Sequence, residues 1–340
     1  MKNFLSKIKT ERVYVFLILL FGMISVFVTF PLGNGDEGYH LSKSYNIFSM
    51  NHPKSMKKTV VRQLEYQAIG LDGDMKDFDV ETFYIKKLKD VEKDSFRFNI
   101  AYDRNITMQI DIAHIPAAIG VMVGRVIYPS YGIMLLCSRI SSLLFFALCM
   151  GAIIKKSTVG KWTLFMLFSI PCIQKLASPS YDVFSYVVFA MYSMNIFELA
   201  KLRTIKEISK QKILYTLITI ILLLFCKKNY LFALAVIPFL PMFFLRILEW
   251  LDNKKMSVKI VTFVTGIIVM LVLLVGLNYY LNLFSLFKAF MKSYFNMATM
   301  GDRGKFLFSV VPTILPEIFN LLWIVSTFLI VLGENAYNWN

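Results

Sequence analysis

The sequence predicts an all-α, polytopic membrane protein, and three observations carry that prediction. Of the 340 residues, 57% are hydrophobic and only 17% charged, whereas soluble domains sit near half apolar with about a quarter charged. The apolar residues come in blocks of the roughly 17–25 residues that a helix needs to cross a bilayer. The basic residues behind the net charge of +15 cluster in short segments between those blocks, so the charge reads as anchoring by cytoplasmic loops and not as a nucleic-acid surface. All four cysteines (Cys137, Cys149, Cys172 and Cys226) lie inside or at the edge of apolar blocks, so no disulfide framework is indicated.

The basic start "MKNFLSKIKTER" precedes an apolar run from Val13 to Leu32 that is too long for a signal-peptide core and is followed by no small-x-small cleavage site. It predicts a retained signal anchor with the N-terminus in the cytoplasm. Further spans are expected at 131–154, 160–177, 181–200, 212–227, 229–248, 260–281 and 309–332. A weaker segment, 110–128, contains Asp111, His114, Pro116 and Arg125. If it crossed, "KKSTVGK" (155–161) and "KLRTIKEISKQK" (201–212) would both face outward, against the charge rule. Placing it at the outer interface makes the N-terminus, 155–161, 201–212 and 248–259 all cytoplasmic. One assumption repairs four loops. The expectation is therefore about eight crossings and one interfacial helix in a single membrane domain over 1–340. The outer face would carry 33–109 as a large first loop, "YIKKLKDVEKDSFRF" (84–98) being a solvated helical face.

Three outward stretches carry chemistry. In "GNGDEGYH" (33–40), a helix capped by Asn34 would put Glu37 at the capping-box position. Asp36 would lie one turn from His40 on the same face. A carboxylate at the lip of a span suits a general base, with Glu37 and His40 orienting it or the acceptor. In "SPSYDVF" (178–184), Asp182 opens a span, where the helix dipole alone favours an acid. Asp36 and Asp182 could equally hold a divalent cation such as Mg or Mn. In "CKKNY" (226–230), Lys227 and Lys228 sit at an outward turn too short to be a loop. They either snorkel or bind a lipid-linked phosphate, with Tyr230 as a further donor and Arg303 extending the basic rim.

In this order, "DEGYH", "SPSYD" and "KKNY", together with "HIPAAIGVMVGRVIYPSYGIMLLCSRISSL" (114–143), resemble the bacterial membrane-protein family called domain of unknown function 2142, over about residues 13–250. That family resembles the GT-C glycosyltransferases, multi-span enzymes that use polyprenyl-phosphate sugars outside the cytoplasm. The resemblance implies a base at Asp36 with Glu37 beside it, a second-loop acid at Asp182, and a phosphate contact at Lys227 or Lys228. The acceptor would be a cell-surface glycan or a lipid-linked one. Gly38 stands where the family usually has proline, and "LGENAYNWN" ends the chain earlier than in many members, which predicts missing late spans. Against a flippase of lipid-linked glycan stands the scarcity of charge at mid-span. A non-catalytic scaffold of polysaccharide assembly would tolerate Asp36→Asn, where an enzyme would not.

Overall fold

The computed structural model describes residues 9–34, 36–69, 78–99, 111–158, 173, 175–202, 204–226, 228–243, 250 and 255–281. Every regular element among them is helical. The chain divides into two compact units. The first runs to Leu199 and takes in Ile208–Ile237; the second comprises Ala200–Glu207 and the chain from Pro238 on. In the second unit the long described α-helix is Met256–Leu281, where the sequence predicts the span 260–281. The expected spans 160–177 and 309–332 lie mostly or wholly outside the described residues.

Three helices of the first unit are long and apolar enough to cross a membrane: α1 (Thr10–Val28), a long helix at Tyr131–Lys156 and another at Asp182–Ala200. Between the first two come α2 (Glu37–Ile47), α3 (Lys58–Ile69), α4 (Val80–Tyr84), α5 (Lys89–Glu92) and α6 (Ile115–Ile127), so the long helices are α7 and α8. A fourth apolar helix, α9 (Lys210–Leu224), follows α8 and leads into a 3-10 helix at Lys228–Phe239.

Side-chain contacts fix the register of the long helices. α1 runs antiparallel to α7: a Cβ on Gly151 would meet Val15, and one on Gly22 would meet Leu143. The α1 stripe Tyr14, Ile18, Gly22 and Val26 is buried, while Phe16, Leu20, Phe21, Ile24 and Phe27 are exposed, as a lipid-facing surface requires. α8 runs parallel to α7, Phe145 stacking on Phe184 with ring centroids 6.3 Å apart, and the Ser157 hydroxyl donating to Met194 Sδ at 3.2 Å. α9 returns antiparallel to α8, with Asn195 donating to Thr216 at 2.7 Å and Lys212 paired with Glu198. Lys9, Arg12, Lys155, Lys156, Lys210 and Lys212 are thereby gathered at one end of the unit.

At the opposite end α7 outruns α1. The end of α1 is level with Arg139, whose guanidinium bonds the carbonyls of Val26, Thr29 and Phe30. From Arg139 to Lys156 the helix rises about 26 Å, close to the bilayer core of roughly 30 Å. Residues 131–138 project beyond, and α6 packs antiparallel against them. Gly120 and Gly124 permit the approach, since a Cβ on Gly120 would sit 2.3 Å from the Cys137 carbonyl oxygen. With 13 residues, α6 is about 20 Å long, too short to cross.

The described parts of the stretch expected as a loop fold into a cap over this end. Leu32, Leu41, Tyr45, Met56, Val61, Phe83, Val91, Val121, Tyr131, Met134 and Leu135 form its core. The sequence expectation of one solvated helical face over 84–98 does not hold. α5 has four residues, and Asp94 just beyond it is buried. Its carboxylate accepts from Tyr45 (2.7 Å), Ser49 (2.6 Å) and the Asn51 N–H (2.8 Å) and pairs with Arg125 at 3.5 Å. Burial opposes its charge, but these donors hold it below the usual carboxylate range. A buried, multiply bonded acid pins the chain and ends the helix.

Candidate functional site

The polar residues of α2 divide at its first turn. Asp36 is the N-cap, with φ +60°, a left-handed conformation that Asp adopts more readily than most residues. Its side chain is 64% exposed and paired with Arg62 of α3. Glu37, the next residue, is wholly buried. Arg139 Nε–H and Nη2–H donate to its two oxygens, each at 2.7 Å. With the carbonyls of Val26, Thr29 and Phe30, all five guanidinium N–H groups of Arg139 are bonded. Arg139 therefore donates to carbonyls at and just beyond the C-terminus of α1, where intrahelical donors run out, while balancing Glu37. Burial pushes the Glu37 carboxyl up, and Arg139 and the Asn34 N–H oppose that. The helix starts at Glu37 with Asp36 as its cap, so Asn34 is not the cap that the sequence suggested, although its backbone N–H still bonds the Glu37 carboxyl beside Arg139.

His40 lies one turn on from Asp36 but is buried. Its Nδ1 is 2.9 Å from Nε2 of His114, which ends the 3-10 turn before α6. Two of the three histidines of the chain thus share a hydrogen bond. The rings are walled by Tyr39, 5.3 Å from His40, and by Tyr181, whose centroid lies 4.8 Å from His40 and 5.6 Å from His114. Lys58 lies over the Tyr39 ring at 4.9 Å. Burial holds the His114 imidazole well below its ordinary pKa, helped by the positive fields of His40 and Lys43. Its Nδ1 is buried without a hydrogen-bond partner.

Tyr181 joins the "SPSYD" stretch to "DEGYH", and Asn34 reaches the Ala177 carbonyl at 3.5 Å. Asp182 is the first residue of α8, half-buried, its N–H donating to Ser180 Oγ at 3.1 Å. That is the position where the helix dipole favours an acid. Tyr230 packs its ring on Phe189 of α8, centroids 5.3 Å apart. Lys228 opens the 3-10 helix, and Lys227 and Arg303 lie outside the described residues. Among the described residues no group of three or more His, Cys, Asp or Glu is placed to hold a metal ion.

The residues that sequence reasoning missed are Arg62, Glu65, His114 as a partner of His40, and Arg139. An arginine within an otherwise apolar span calls for a buried acid; that signal was present for Arg139. Glu65, on α3, is 2% exposed. The Gly38 N–H bonds its carboxyl, and burial together with the nearby Asp36 and Glu37 charges pushes it up, against the pull of Arg62. A Cβ on Gly38 would sit 2.9 Å from Glu65 Oε2 and 3.0 Å from the Val61 carbonyl oxygen. The proline usual in the resembled family would lack the N–H that Glu65 accepts.

Apolar helices that share one basic end and carry a polar, histidine-containing cap at the other define an all-α membrane protein. The comparison of sequences agrees: a family model described as "Predicted membrane protein (DUF2142)" matches residues 19–301, and the chain belongs to that family. No curated protein and no solved structure matches it.

Proposed function

We propose that this protein is a GT-C-like membrane glycosyltransferase, which moves a sugar from a polyprenyl-phosphate donor to a cell-surface or lipid-linked glycan at the outer face of a bacterial membrane. One observation carries the reading: an exposed carboxylate, Asp36, stands at the rim of a buried polar cluster, at the end of the unit opposite the basic residues. By the positive-inside rule the basic end is cytoplasmic, so the N-terminus is inside, the cap is outside, and the full chain makes about eight crossings. Outside the cell no nucleotide sugar is at hand, which requires a membrane-borne donor.

In this reading Asp36 takes the proton of the acceptor hydroxyl, and His40 with its His114 partner fixes the first turn of α2 beneath it. Lys227 or Lys228, with Tyr230 and Arg303, meets the donor phosphate. The test is transfer from a polyprenyl-phosphate sugar in membranes holding equal amounts of each protein. Losing a general base costs about 10²–10⁴-fold, so Asp36→Asn should abolish transfer. Near-normal transfer by that variant would sink the assignment. The orientation is checked separately by cysteine labelling from outside. Thiols introduced at the exposed Val60 and at Lys228 should react, and those at the exposed Thr158 and Lys206 should not.

A further inference from the structure

Two buried polar atoms on α3 lack a hydrogen-bond partner: Arg62 Nε, a donor, and Glu65 Oε1, an acceptor. Buried groups are nearly always bonded, and an exception asks for a cause. Residues three apart on a helix are neighbours on one face, with Cβ atoms about 5–6 Å apart. Arg62 could therefore reach Glu65, yet its Nη2 is turned to Asp36 across the helix gap. The charged groups facing Glu65 are Asp36 and Glu37 from the start of α2 and Arg62 from its own helix. One guanidinium is thus flanked by two carboxyls, bonded to the exposed one and within one turn of the buried one.

We propose that Arg62 exchanges between Asp36 and Glu65, which makes Glu65 the positioning residue that frees Asp36 to act. The inference rests on Asp36 being the base of the proposed transferase. With Arg62 on Asp36, Glu65 keeps its proton, which lets its buried carboxyl go without a counter-charge. When Arg62 turns to Glu65, Glu65 gives that proton to solvent and accepts the guanidinium. The unencumbered Asp36 carboxylate then takes the proton of the acceptor hydroxyl. The acceptor oxygen bonds to the anomeric carbon, the bond from that carbon to the phosphate oxygen breaks, and its electron pair leaves with the polyprenyl phosphate. Glu65 touches neither substrate. Gly38 supports the arrangement, because its N–H holds the Glu65 carboxyl and its lack of a side chain leaves room for it.

The first arm needs no substrate. The infrared band of protonated carboxyl groups is titrated on the full-length protein in detergent, and the Glu65 component is the part that Glu65→Gln removes. Asp36→Asn releases Arg62, so the Glu65 band should disappear at lower pH than in the unaltered protein. Adding Arg62→Gln to Asp36→Asn should reverse that shift, because the guanidinium and not merely the lost Asp36 charge causes it. No Glu65 component at any pH, or the same downward shift with Arg62 removed, overturns the proposal. In the second arm, Glu65→Gln should lower kcat for transfer by up to about 100-fold with KM kept, remove one limb of the pH profile, and leave abundance unchanged. Glu65→Asp should recover part of the rate. A kcat and pH profile unmoved by Glu65→Gln overturns the positioning role. If Asp36→Asn left transfer intact, the base assignment would fail while the infrared arm still reported on the exchange.

Discussion

Asp36 and Glu37 are adjacent acids, each paired with one arginine, and the pairs do opposite work. Glu37 is at 0% exposure against Arg139 at 2%; Asp36 is at 64% against Arg62 at 33%. The first pair is bidentate and joins α1, α2 and α7 at the level where the cap begins. The second lies at the surface, where solvent screens it and holding two side chains together gains little. Burial makes one pair a structural joint. Exposure leaves the other free to exchange partners.

The sharpest way to break this contrast is to remove Arg139. Truncating one partner of a buried ion pair typically costs about 3–5 kcal/mol, because the other charge is stranded. Arg139→Met also removes a donor from the Val26 and Thr29 carbonyls at the end of α1. The variant should lose most of its yield and show a much lower unfolding temperature in detergent. An unchanged unfolding temperature would mean that Glu37 is not held by this pair.

A smaller effect comes from the histidine beneath the pair. The folded-state pKa of His114 is well below its ordinary 6.5, so below that pH the unfolded chain binds a proton that the folded one refuses. Stability should therefore fall as the pH drops from 7 towards 5, by up to about 2 kcal/mol. Glu37 and Glu65, raised from 4.5, work in the opposite direction over part of that window. The measurement is therefore the difference between the protein and His114→Gln across the range. Parallel curves would rule out a neutral buried imidazole.

Smaller again is Gly38→Ala. The added Cβ meets the Val61 carbonyl oxygen at 3.0 Å as well as Glu65 Oε2 at 2.9 Å, and backbone cannot yield as a side chain can. Overpacking of this kind costs about 1–3 kcal/mol, read as a lower unfolding temperature. A variant as stable as the protein itself would show that α3 can retreat from α2.

Periodicity and apolar run length made α7 and α8 legible almost to the residue: 131–154 and 181–200 were expected, Tyr131–Lys156 and Asp182–Ala200 are observed. The sequence put "DEGYH" and "SPSYD" on one face as an expectation; that they meet, and through Tyr181, comes from the packed helices. The roles within the acidic pair were not. Glu37 finds Arg139 across 102 residues of sequence, and local spacing carries no trace of such a pairing. Glu65 stands in the polar stretch "KKTVVRQLEYQ", where an acid reads as surface. Only the approach of α3 to Gly38 buries it.

The smallest expected change in stability is that of Asp36→Asn, and it sharpens the contrast most. Asn tolerates the left-handed backbone at this position as well as Asp does. The lost pair is exposed, so the cost should stay within about 1 kcal/mol. Arg62 keeps a partner within reach in Glu65, which reduces the cost further. The variant should accumulate normally, unfold near the same temperature, and bind donor and acceptor as before. Without a carboxylate to take the hydroxyl proton it should nonetheless transfer no sugar. Glu37→Gln should show the converse pattern, with reduced abundance and the remaining molecules active at close to the normal rate per protein. Measured together as rate per folded protein and unfolding temperature, the two variants separate chemistry from architecture at adjacent positions. If Asp36→Asn lost stability and Glu37→Gln lost only rate, the roles of the two acids would be exchanged.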